Sequence, residues 1–421
     1  MTSLTELPIE ILSHIGRQLS PRSPDSPENG QDRLDITSHA RELAALSRLA
    51  RTCKHLREIL QPILFHSVFD SELTSISLIN TLNARPDLAR AVVEMEIEGR
   101  DISPEENLDE ILSAHEQSMM TELLAKNFQT ETQQPPMLRD DVNDFPRHNV
   151  FAGLAIALVS NVKRLLVRPY YWELPMFKPG SLPCLRELYL EHGDTENGLI
   201  LSRFQCMLQA APALQTLKCH AVSDVESGVS HENLTTLALS YSLLTNESFK
   251  LLIDGFPKLE SFSYSSGGAS VNFEHEASPR QIFEAVSKRR STLKHLSLDL
   301  QLSVYMEEPD ERDTIPSLAS LKALQTLEIS ALALAVVNEP TDGNVLINAL
   351  PGSVRSFTLL DPHEDIAEDI NRLAEMAPER FPHLREVCFY NPSNQPREVP
   401  ETPFTSRGIK CTNKAPFFQR S

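Results

Sequence analysis

The sequence predicts an α/β protein in two parts: an N-terminal three-helix block, then a curved, irregular solenoid of strand-plus-helix units. Three observations predict this. The pattern L-x-x-L-x-L recurs nine times between Val162 and Phe389. Stretches with helical apolar spacing fill the gaps between copies. The first 68 residues carry helical periodicity alone, interrupted by one proline-rich stretch. At 421 residues, 41% of them hydrophobic, the chain is long enough for a large core or two domains.

Charge and composition narrow the function. The formal net charge of −19 repels phosphate backbones, which argues against a nucleic-acid binder. No apolar run approaches the ~18 residues that a membrane helix needs. Glu6 and Glu10 stand where a secretory signal would carry a basic and then an apolar segment, so the expected location is cytoplasmic and/or nuclear. The six cysteines are scattered without C-x-x-C spacing and read as small core residues of a reducing compartment.

The first helix is predicted within "LTELPIEILSHIGRQL", Leu4 to Leu19. Pro8 suits a first helical turn, Glu10 favours the positive end of the helix, and Ile11, Leu12, Ile15 and Leu19 fall on one face. Residues 20–38 read as a flexible insert whose Ser20-Pro21, Ser23-Pro24 and Ser26-Pro27 pairs resemble sites for proline-directed kinases. A second helix is predicted from Ser38 to Leu60, with Leu43, Leu46, Leu49, Ala50, Cys53, Leu56 and Leu60 as its apolar stripe. Its other side carries Arg41, Arg48, Arg51, Lys54 and Arg57. Five basic against two acidic residues between Ala40 and Leu60 give +3, fitting either a solvated face or a surface for an acidic partner. A third apolar piece, "QPILFHSV", closes the block at residue 68.

"LPIEILSHI" followed by "LAALSRLARTCKHLREILQPILFHSV" resembles an F-box. The resemblance rests on the ordered series Leu7-Pro8, Glu10, Ile11, Leu12, Ile15, the Leu43–Leu49 run, Cys53 and Leu64-Phe65. It implies a three-helix module whose leftover apolar face docks on a Skp-type adaptor protein, and through it on a cullin scaffold and a RING subunit. The contact set it implies is Leu7, Pro8, Ile11, Leu12, Ile15, Leu46 and Leu49.

Residues 69–160 read as a linker and N-terminal cap of the solenoid. They contain a helix, a turn at Arg85-Pro86-Asp87, an outlying strand at "VVEMEI" from Val92, a surface loop over 126–148 and the helix "NVFAGLAIALV". Residues 161–390 carry the nine copies, starting at 162, 185, 214, 234, 259, 293, 324, 354 and 384. Spacings of 20 to 34 with this signature are those of leucine-rich repeats. Each copy is expected to be a short strand with its fourth and sixth residues pointing inward. Helices are expected at "LSRFQCMLQAA", "NESFKLLIDGF", "PRQIFEAVSKR" and "DIAEDINRLAEMA". The asparagine common after such strands is missing, so an uneven arc is expected. A doubly wound sheet is the nearest rival, but the glycine-rich phosphate loop it would want is missing. The Pro-rich tail, 391–421, lacks periodicity and is expected to cap the last repeat or to dangle.

Catalytic signatures are missing. None of G-x-x-x-x-G-K-[ST], G-x-G-x-x-G, G-x-S-x-G and H-E-x-x-H occurs. "HENLT" at His231 lacks the second histidine of a metal motif, and "DPHEDIAED" reads as an acidic run entering a helix. No catalytic residue, cofactor or metal is therefore expected. The expected function is a substrate-recognition adaptor of a Skp–cullin–F-box ubiquitin ligase, with an unknown target protein held on the solenoid. The alternatives are a repeat scaffold that uses its F-box outside ubiquitin transfer, and an enzyme with a pocket in the 70–160 region. Target contacts are expected at outward strand positions: Glu187, Tyr189, Lys218, His295, Glu328 and Tyr390, with Glu191, His220, Ser263 and Asp299 beside them.

Overall fold

A computed structural model describes residues 6–20, 36–70, 75–98, 112–129, 147–168, 174–192, 198–268, 276–301, 313–336, 341–391 and 402–414. The Ser-Pro pairs of the insert from Pro21 on, most of the 126–148 loop and much of the tail lie outside the described residues. Two compact units divide the chain: Met1–Arg186 with Ala210–Ala213, and Glu187–Gln209 with Leu214–Ser421.

The first unit opens with helices α1 (Ile9–Leu19), α2 (Ile36–Ala50) and α3 (Lys54–Leu64). Pro8 stands just outside α1, where its carbonyl accepts from the Ile11 and Leu12 amides. The single helix expected from Ser38 to Leu60 is broken in two. Thr52 donates its hydroxyl back to the Leu49 carbonyl at 2.8 Å, closing α2. Cys53 is extended, and its sulfur accepts from the Leu56 amide at 3.5 Å, opening α3. The apolar stripe runs on through this break, which is why periodicity missed it.

Next come β1 (Ser67–Asp70), α4 (Ser75–Ala84), α5 (Pro86–Ala91), β2 (Glu94–Glu98), α6 (Ala114–Asn127), α7 (Arg147–Leu158) and β3 (Arg164–Arg168). Arg85-Pro86-Asp87, expected as a turn, begins α5, with Pro86 at the helix start where its missing N–H costs nothing. Ser113 and Glu116 form a reciprocal capping box at α6, and the serine's donors hold the Glu116 carboxyl below the usual range. β1 pairs with β2, and β2 with β3, all parallel. Met95, Ile97, Leu165 and Val167 are their buried apolar residues, with Glu96 buried beside them.

The second unit contains β4 (Glu187–Glu191), β5 (Leu199–Ile200), α8 (Gln205–Ala210, whose last residue clusters with the first unit), β6 (Thr216–His220), β7 (Val222–Asp224) and β8 (Thr236–Ser242). It continues with α9 (Asn246–Gly255), β9 (Ser261–Ser266), α10 (Pro279–Val286), β10 (His295–Asp299), β11 (Thr326–Ser330), α11 (Val345–Ala349), β12 (Ser356–Leu360), α12 (Ala367–Arg380), β13 (Glu386–Tyr390), α13 (Thr402–Thr405) and β14 (Lys410–Lys414). This is a mixed α/β protein built on parallel sheet: the strands of the first unit run in the order β1-β2-β3 and those of the second in the order β4-β6-β8-β9-β10-β11-β12-β13-β14, with β5 and β7 a separate parallel pair. Parallel pairing needs a return path between strands. Among the described residues, helices lie on several of these paths, such as α9 between β8 and β9, α10 between β9 and β10 and α12 between β12 and β13.

The fourth and sixth residues of all nine copies are buried, as in Leu188 and Leu190, Phe262 and Tyr264, Phe357 and Leu359, and Val387 and Phe389. Phe249 of α9 meets Phe262 and Tyr264 edge-on at 6.4 and 4.9 Å, so helix and strands share one core. The tail, read without periodicity, supplies β14, which pairs with β13 and buries Cys411.

Candidate functional site

Two surfaces carry the residues singled out in the sequence. The first lies on the three-helix block. Leu12, Leu46, Ala50, Leu56 and Leu60 form its core, with Leu7, Leu19, Leu49, Cys53, Ile59, Ile63 and Leu64 packed half-buried around it. Gly16 allows the close approach of α1 to α3: a Cβ there would lie 2.5 Å from Leu60 Cδ2 and 2.9 Å from Ile63 Cδ1. Of the contact set implied by the resemblance, Leu12 and Leu46 are only 2% and 0% exposed, so their side chains are committed to this core. Leu7, Ile15 and Leu49 are half-buried, Pro8 is exposed, and Ile11 is 47% exposed. Ile9 is 54% exposed, yet it falls off the i, i+4 stripe that the sequence pattern follows. Pro8, Ile9 and Ile11 are thus exposed apolar residues at the start of α1, with the two isoleucines projecting from different sides of the helix. Covering the exposed half of either isoleucine is worth about 1 kcal/mol. In the same unit, Leu43, Leu64, Phe65, Val68, Phe69 and Leu78 line an apolar hollow of about 320 Å³.

The second surface is the outward face of the second unit's strands, where register aligns the candidate residues in rows. Glu187 and His295 lie in the first row, with Thr216, Thr236 and Ser261 between them. Tyr189, Lys218 and Glu328 lie in the middle row, and Tyr189 and Lys218 are directly paired neighbours. Ser297 donates to Glu328 Oε1 at 3.3 Å in that row. Tyr390 lies in the last row, seven strands from β4, up to about 34 Å along the sheet at ~4.8 Å per strand. Tyr189 and Tyr390 therefore cannot grip one small ligand together. Glu191 and Asp299 are also in that last row. Glu191 is 5% exposed, and burial pushes the Asp299 carboxyl up, with nearby Asp361 adding to the shift.

Tyr241 was missed. The alternation of β8 would point it inward, but its φ of 50° puts it in the left-handed region, in the stretch where the β8–β9 register shifts. Its ring is 41% exposed and stacks on His220 at 5.6 Å between centroids. His220 Nδ1 is 3.0 Å from Ser240 Oγ. Only a backbone outlier sets Tyr241 outward beside His220, and no residue-type pattern signals it.

Among the described residues, no group of three or more His, Cys, Asp or Glu side chains is placed to hold a metal ion, and no helix is long and apolar enough to cross a membrane. No cysteine forms a disulfide. His231 Nδ1 accepts from the Asn233 amide at 3.3 Å, and His363 Nδ1 lies 3.2 Å from Asp365 Oδ2. The acidic run from Asp361 leads into α12 through a 3-10 turn over Glu364–Ile366. Comparison with family models and with curated proteins gives no match for this sequence.

Proposed function

We propose that this chain is a substrate-recognition adaptor of a Skp–cullin–F-box ubiquitin ligase. The three-helix block docks on the Skp-type adaptor, and the repeated strand-and-helix units act as an irregular leucine-rich-repeat solenoid that holds a target protein. The observation that carries this reading is that Pro8, Ile9 and Ile11 are exposed at the start of α1 on a block whose core holds only five buried residues. A three-helix unit of this size is marginal alone, and covering exposed apolar residues with a partner stabilises it. The outward rows of β4 to β13 supply polar, charged and aromatic groups suited to a folded protein partner.

On this reading the chain does no chemistry itself. It raises the concentration of the target near a ubiquitin carrier held elsewhere in the complex. The test is binding of the full-length chain to a purified Skp-type adaptor, with the double variant Ile9→Asp/Ile11→Asp as the perturbation. Both residues are exposed, so the fold tolerates the change, while an interface would have to bury two unpaired charges. The expected loss is at least tenfold in affinity. Unchanged affinity of the variant, or no binding by the parent chain, refutes the proposal.

A further inference from the structure

The adaptor reading leaves the charges at the α2–α3 junction unused. Arg48, Arg51, Lys54 and Arg57 follow one another at intervals of three residues, and all four are exposed. Among the described residues, none of the four is in an ion pair. Some other exposed cations close on carboxylates, such as Arg85 on Asp87 at 2.7 Å, Lys288 on Asp254 at 2.7 Å and Lys410 on Glu386 at 2.8 Å, while Arg17, Arg290, Arg372 and Arg380 are exposed without an ion pair among the described residues; what sets the junction apart is four such cations in ten residues.

The local field at the junction is also uncompensated. Arg48 and Arg51 sit by the negative end of α2, which favours them. Lys54 and Arg57 sit by the positive end of α3, which does not, and the first turn of α3 carries no acid. Among the described residues, this positive charge is neutralised by no neighbour, on a molecule of net charge −19.

We infer that this band steers an acidic protein surface onto the three-helix block, which in the reading above, on which this inference rests, is the surface of the Skp-type adaptor. The charge balance favours a protein over other polyanions. Screening confines the patch's attraction to about 8 Å at physiological salt. A nucleic acid or an anionic bilayer is an extended sheet of negative charge that would also face the rest of this acidic chain. An acidic patch on a folded partner is local, and the exposed Pro8, Ile9 and Ile11 offer it apolar contacts on the same block. Charges placed this way act on association rate and salt dependence more than on dissociation.

The test compares the full-length chain with its variant Arg51→Glu/Lys54→Glu/Arg57→Glu. Association with purified Skp-type adaptor is followed by stopped flow between about 50 and 500 mM salt. The parent's association rate is expected to fall at least tenfold across this range. The variant is expected to associate at least tenfold more slowly at low salt, with its dissociation rate within about twofold of the parent. Glu58→Lys, which removes the acid nearest in sequence, is expected to associate faster than the parent. A thermal melt checks the fold. If the triple-Glu variant melts early, the corresponding triple-Gln variant carries the test. Equal association rates with a flat salt response, while adaptor binding persists, overturn the steering and leave the adaptor reading standing. No binding by the parent chain overturns both. Preferential capture by phosphatidylserine vesicles or duplex DNA at equal concentration also overturns the inference.

Discussion

Replacing Gly255 by alanine tests how tightly the second unit's helices are seated. Gly255 is the last residue of α9, and its carbonyl accepts from the His231 amide at 3.0 Å. A Cβ at this position would fall 1.6 Å from the Val229 carbonyl oxygen and 2.7 Å from its carbon. The obstacle is backbone, so no rotamer change relieves it. The 229–231 segment must move by well over an ångström, unseating Val229, which is 0% exposed, and straining the His231 hydrogen bond. Losing part of the Val229 burial costs about 2 kcal/mol, and a distorted buried hydrogen bond costs about 1–2 kcal/mol. Against this, alanine gains up to ~1 kcal/mol of helix propensity. The net expectation is a loss of about 3 kcal/mol, or about 6–12 °C in Tm for a unit of this size. Gly228, one residue before Val229, is the control: a Cβ there has nothing within 4 Å. Differential scanning calorimetry of both variants decides. If Gly255→Ala melts with the parent and with Gly228→Ala, the seating of α9 on the 229–231 backbone is not what the geometry says.

Two further outcomes follow from single groups. Asp369 is 0% exposed and accepts from the Val345 amide at 2.6 Å and from the Thr341 hydroxyl, which ties α12 to the start of α11. Asp369→Ala leaves both donors without it and is expected to cost about 2–4 kcal/mol, read as a shift in denaturation midpoint at unchanged m-value. The hydrogen bond from Arg85 lowers the Asp87 carboxyl to about 2. A depressed carboxylate contributes stability that is present above its unfolded pKa and is lost as pH falls through about 2. The pair is exposed, so the expected stability change is small, and the clean readout is the carboxyl titration itself. NMR should place the Asp87 midpoint near 2, and Arg85→Gln should return it toward the ordinary range.

What was legible in the sequence follows from how each signal is encoded. The inward pairs of the nine copies were readable because a strand's period of two leaves no other arrangement for Leu188 with Leu190 or Phe357 with Leu359. β14 was not readable: Lys410, Thr412, Asn413 and Lys414 are polar, Cys411 is the one buried side chain among those described, and the strand is held by pairing with β13. The division between Leu12 and Ile11 was also hidden. Both fall on one apolar stripe, and only the crossing of α1 on α3 at Gly16 decides which of them the core takes. The rows of candidate residues on the outward face could be numbered from the sequence, but Tyr241 could not. Its position comes from a backbone angle that residue type does not announce.

The missing asparagine has a physical answer in two of the strands. In a stack of parallel strands, the backbone amide just past a strand end is buried and needs an acceptor. The Val222 amide gives its hydrogen bond to Ser242 Oγ at 3.0 Å, and the Leu300 amide gives its own to Ser330 Oγ at 2.9 Å. Both serines are 0% exposed, and each comes from the next strand of the sheet. A serine hydroxyl reaches less far than an asparagine amide and offers one oxygen, so it can serve only a backbone that approaches closely. That requirement fits the uneven chain course at this end of the strands, where Ala221, Tyr241 and Asp361 all take φ values near 50°. A sequence that satisfies each turn by its own short side chain cannot repeat one turn geometry. Irregular spacing between copies is the same constraint written along the chain.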